Sequence, residues 1–131
     1  MREVAVVFDK DGQALYWLDG ASGCAVPDSR SLWDIVWENR KVLGGVAHTH
    51  PWDGGTGPSG TDLTTFAAIE KGLNLSLVWP IITMTHELYI AISPSGGDYY
   101  LERVPPPFTS TAAWKAIIEE LRRRSRGEQH A

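Results

Sequence analysis

Two short apolar runs separated by a helical stretch constrain this chain more than anything else in it. Residues 3–8, Glu3-Val4-Ala5-Val6-Val7-Phe8, are β-branched and apolar and read as a buried strand. Residues 42–48, Val42-Leu43-Gly44-Gly45-Val46-Ala47-His48, read as another. Between them, Asp11-Gly12 signals a hairpin turn into a second strand at Leu15-Tyr16-Trp17-Leu18. Asp28 or Ser29 then caps a helix running to about Lys41, with Leu32, Ile35 and Val36 as its apolar face. Trp33 and Trp37 stand one turn apart in it, within touching distance, and are expected in the core.

Beyond the second run, residues 51–60 form a glycine-rich loop. A helix is expected from Thr61 to about Lys71, with Gly72 as its C-terminal stop. Strands are expected from Leu75 to Thr85, from Glu87 to Ser93 and, after the Ser95-Gly96-Gly97-Asp98 turn, from Tyr99 to Val104. Pro105-Pro106-Pro107 is a stiff connector. Trp114, Ile117, Ile118 and Leu121 recur at helical spacing in a last helix from Thr111 to Arg124, whose apolar stripe should pack on the sheet. The order ββαβαβββα predicts an α/β (α+β) fold, a mixed sheet flanked by helices. At 131 residues the chain suits one domain, 1–131, with its core at about 3–104 and the final helix at about 110–126.

Cys24 is the only cysteine, so no disulfide within the chain is possible, and an ordinary small side chain is expected there. The first residues are too soon charged for a signal peptide, and no apolar run reaches the ~20 residues needed to span a membrane. A soluble, cytoplasmic protein is expected. A net charge of −4 argues against nucleic acid as partner. The one basic cluster, Arg122-Arg123-Arg124-Ser125-Arg126, falls at a helix end, where cations complement the dipole.

The chemistry concentrates in His48-Thr49-His50-Pro51-Trp52-Asp53-Gly54-Gly55-Thr56-Gly57-Pro58-Ser59-Gly60-Thr61-Asp62. In extended backbone, positions i and i+2 point to the same side, so His48 and His50 present two imidazoles together. The glycine-rich loop lets the next helix bring Asp62 to the same point. Two nitrogens and one carboxylate suit zinc and leave a fourth position open for water, as catalytic sites do. Taken singly, each part has a structural reading: a His-x-His pair alone is weak, and Asp62 or Ser59 alone can serve a helix N-terminus. His86 and His130 lack ligand spacing, and Trp52 suits either a substrate groove or a loop anchor.

The whole constellation resembles the JAMM/MPN (JAB-domain) metalloprotease signature: His-x-His-Pro, seven residues, Ser, two residues, Asp. It is met here at His48, His50, Pro51, Ser59 and Asp62. The resemblance implies a curved, cytidine-deaminase-like sheet and Zn2+ held by His48, His50 and Asp62. It implies that Ser59 stabilises the oxyanion and that an upstream glutamate acts as general base. Glu3, at the start of the first strand, stands in that glutamate's place, and Glu38 on the first helix is the other candidate. The implied reaction is hydrolysis of a peptide or isopeptide bond, with a peptide or the tail of a ubiquitin-like protein as substrate. The alternative is a non-catalytic, zinc-binding MPN-type interaction module. Metallo-β-lactamases need an aspartate one position earlier than Asp53 and a following histidine, and amidohydrolase barrels need ~250 residues. RadC proteins, also JAMM-like, carry a shorter loop and are expected to touch DNA.

Overall fold

A computed structural model describes residues 2–22, 30–50, 60–92, 101–105 and 112–127; at 2, 20–22, 30, 60–65 and 101 it describes the backbone alone. The elements are β1 (Arg2–Asp9), β2 (Ala14–Ser22), α1 (Arg30–Glu38), β3 (Leu43–Thr49), α2 (Gly60–Leu73), β4 (Ile81–Ile82), β5 (Glu87–Leu88), β6 (Ile90–Ile92), β7 (Leu101–Arg103) and α3 (Ala112–Ser125). The fold is mixed α/β: an open five-stranded sheet in the order β2-β1-β3-β4-β5, a β6-β7 pair and three helices. Among the described residues only β3 and β4 pair as parallel strands, with α2 between them in the chain; the other strand pairings are antiparallel. Among the described residues no helix is long and apolar enough to cross a membrane.

β1 lies inside the sheet between β2 and β3 and is apolar on both faces, and the alternation of its side chains divides the core in two. Ala5 and Val7 join Val46 and Leu43 of β3 beneath Leu32 and Val36 of α1 and Phe66 and Ile69 of α2. Val4, Val6 and Phe8 join Ala47 beneath Trp114, Ile117, Ile118 and Leu121 of α3. The amphipathic stripe of α3 therefore covers the sheet, as its spacing requires. Trp114 meets the Phe8 ring edge-on at 5.0 Å and donates from Nε1 to the Tyr89 hydroxyl at 2.9 Å.

The structure corrects four expectations. First, 75–85 is not one strand. Pro80 has no N–H to give a ladder, so pairing to β3 shrinks to a Val78–Gly45 bridge and the two residues of β4. Second, residues 87–92 split: Glu87–Leu88 pair with β4, while Ile90–Ile92 turn to pair with β7 on the other side. Third, α2 runs past Gly72 and ends in a Schellman arrangement. Asn74 takes the left-handed conformation (φ 54°), its N–H donates to Lys71 O, and Leu75 N–H donates to Glu70 O. Gly72 serves packing instead, since the Trp33 ring lies 3.3 Å from where a Cβ would sit. Fourth, α1 stops at Glu38, and Trp37 is 53% exposed with the Arg40 guanidinium 4.1 Å above its ring. Trp37 lies a hundred degrees around the helix from Val36, off the covered stripe.

The basic cluster is tied into the fold. Arg122 Nε donates to Thr83 O at 2.8 Å, Arg123 pairs with Glu120, and Arg124 pairs with Glu120 and Asp19 while lying over the Trp17 ring. Residues Cys24, Asp28, Ser29, Pro51 to Ser59, the 95–98 turn, Pro106, Pro107 and His130 lie outside the described residues.

Candidate functional site

His48 lies near the C-terminal end of β3, and His50 follows its last residue. The backbone there is held from the β4 side: His48 N–H donates to Pro80 O at 3.0 Å, and His50 N–H donates to Ile82 O at 2.9 Å. Both side chains are buried, His48 at 6% and His50 at 1% exposure. Their Nε2 atoms stand 3.0 Å apart, with the rings edge to face. Two arrangements satisfy such a pair: one ring N–H donating to the other nitrogen, or both lone pairs turned to a shared cation. Nitrogens each ~2.0–2.1 Å from a tetrahedral zinc stand roughly 3.3 Å apart. The observed 3.0 Å is somewhat shorter than that, and two imidazole nitrogens are a donor set of the kind zinc takes.

Glu3 reaches the same face from β1. The register places Ala5 against His48, so Glu3, two residues earlier, shares the side on which His48 lies. Glu3 is buried. The β1–β3 ladder ends at Ala5, and beyond it the Thr49 hydroxyl accepts the Val4 N–H at 2.8 Å. Thr49, between the histidines but facing the other way, thus anchors the strand start that carries Glu3. No local sequence signal marks this bond, which spans 45 positions. Glu38, the other glutamate considered, is exposed at the end of α1.

Asp62 lies in the first turn of α2, and its side chain is outside the described residues, as is all of Ser59. The backbone nonetheless places position 62 one turn ahead of Phe66 on the same stripe of the helix. Phe66 meets the His48 ring edge-on at 5.6 Å. Among the described residues no three His, Cys, Asp or Glu side chains converge as a metal set.

Behind this end of β3 an aromatic stack continues. Phe66 lies flat on Trp79, centroids 4.2 Å apart and planes 16° apart. Trp79 Nε1 donates to Glu70 Oε2 at 2.6 Å. Burial pushes the Glu70 carboxyl above its ordinary 4.5, although the bonds from Trp79 and the Leu77 N–H pull it down. A carboxyl raised on folding binds more protons folded than unfolded. Its contribution to stability is therefore greatest below pH 4.5 and is lost as pH rises through the raised value. Glu70→Gln should consequently gain on the wild type as pH rises from about 4 to 7. Urea unfolding of both proteins across that range measures the difference; a gap that does not change with pH would rule out the effect.

His86 sits in the β4–β5 turn, exposed, with Nδ1 2.7 Å from the Thr85 hydroxyl, and takes no part in the site. Compared with known proteins, the chain matches no family model and no curated protein.

Proposed function

We propose that this chain is a zinc-dependent peptidase or isopeptidase of the JAMM/MPN type. One observation carries the reading: two buried imidazoles with their Nε2 atoms 3.0 Å apart, on the sheet face that Glu3 shares. The His-x-His-Pro, Ser59 and Asp62 spacing supports it from the sequence.

His48, His50 and Asp62 would hold the metal. When bound, zinc supplies Lewis acidity and a water acidic enough to lose its proton near neutral pH. The protein's part is positioning and proton transfer. Glu3 accepts the proton of the attacking water and returns it to the leaving amine, a task that suits a buried carboxylate beside the site. The Ser59 hydroxyl donates to the oxygen of the scissile carbonyl as negative charge builds there. A peptide or the tail of a ubiquitin-like protein is the candidate substrate.

Elemental analysis of purified protein tests the reading. About one zinc per chain is expected in the wild type, and its loss in His50→Ala. No zinc after incubation with the metal overturns the reading. Zinc without turnover of any peptide or ubiquitin-like conjugate would leave a zinc-binding interaction module.

A further inference from the structure

Positions 62, 66 and 70 of α2 stand at successive turns of the helix, and the side chains of Phe66 and Glu70 meet the surroundings of the two histidines. Position 62 is the proposed ligand. Phe66 lies against His48 on one side and flat on Trp79 on the other. Glu70 takes the Trp79 indole N–H. Trp79 is itself held in place, since it is 1% exposed and its backbone N–H donates to Ile90 O of β6 at 2.9 Å.

The geometry points to the Glu70–Trp79 hydrogen bond as a positioning clamp that sets how far along β3 the helix α2 lies, and so where position 62 meets His48 and His50. Ring stacking of Phe66 on Trp79 tolerates sliding in the plane of the rings, because dispersion contacts are weakly directional. A 2.6 Å hydrogen bond to an indole N–H does not tolerate it. Glu70 therefore supplies the axial restraint that the apolar packing lacks. Sliding α2 by one residue would carry position 62 about 1.5 Å along the helix axis. A zinc–ligand bond tolerates only ~0.2 Å. Glu70 and Trp79 touch neither ligand nor substrate and are positioning residues.

This inference rests on the zinc reading above, and the experiment separates the two. Co2+ serves as probe because its visible absorption reports coordination geometry. Its affinity is measured by competition with a chelator in wild type, Glu70→Leu, Trp79→Phe and Glu70→Gln. Trp79→Phe keeps the ring on Phe66 and removes only the N–H; Glu70→Gln keeps an oxygen to accept it. Glu70→Leu and Trp79→Phe should each weaken Co2+ binding by roughly tenfold or more and change its spectrum, as loss of supporting hydrogen bonds around metal ligands does. Glu70→Gln should restore both. Ile118→Val, on the far side of the sheet, controls for general destabilisation and should lower the melting temperature with affinity and spectrum unchanged. If Glu70→Leu does not fold, Trp79→Phe decides. Wild-type affinity and spectrum in Trp79→Phe overturn the clamp while leaving the zinc reading in place. A wild type that binds neither Co2+ nor Zn2+ overturns both.

Discussion

Gly45→Ala should destabilise the protein by more than about 4 kcal/mol, in the far tail of single substitutions. A Cβ at this position would lie 1.9 Å from the Val78 carbonyl oxygen and 2.8 Å from Cζ of Phe8. The first contact is with backbone, so no rotamer relieves it. Relief requires prising β3 from the segment leading into β4, where Val78 N–H also donates to Gly44 O at 3.3 Å. Small domains have only about 5–15 kcal/mol to lose. The same prising would disturb His48, three residues along the strand. Gly72→Ala is the matched comparison. Its new methyl would meet a side chain, the Trp33 ring at 3.3 Å, and the helix gains about 0.5–1 kcal/mol from alanine. The two should differ by several kcal/mol in urea unfolding followed by circular dichroism. Equal stabilities would show that β3 and Val78 are not held as closely as described.

The second large effect concerns chemistry and rests on the proposed function. Asp62→Ala should remove a ligand and abolish both metal content and turnover. Glu3→Gln should keep the metal and lose turnover by about 10²–10⁴-fold, the usual contribution of a positioned acid–base group. Glutamine keeps the size of Glu3 within the sheet but cannot take a proton. The contrast is measured by zinc analysis and by peptide or ubiquitin-like substrate cleavage on the same preparations. Full zinc occupancy in Asp62→Ala would sink the ligand assignment, and undiminished turnover in Glu3→Gln would exclude it as the base.

The parts of the fold legible in the sequence are those with long, consistent patterns. β1 follows from its β-branched run and α3 from its helical spacing. The His-x-His pair was legible for the same reason: strand alternation puts both imidazoles on one side, and the structure brings their Nε2 atoms together. What was not legible depends on contacts between distant segments. Pro80 breaks a strand that hydropathy alone would continue. Gly72 looked like a stop because glycine usually ends helices, yet Asn74 ends this one and Gly72 makes room for Trp33. The Trp79–Glu70 bond joins a helix to the sheet and has no sequence signature. Trp37 resembled Trp33, and only the position of α2 distinguishes them.

The division of the core across β1 has a consequence for how the chain emerges from the ribosome. The face made by Val4, Val6 and Phe8 is covered by α3, which comes last in chain order among the described elements. At 5–20 residues per second, more than a hundred residues must follow β1 before its cover exists, a wait of roughly ten seconds. During that interval a flat apolar strand surface is open to other nascent chains. Whatever the activity of the finished protein, that face has no cover from α3 until Trp114 and Leu121 arrive.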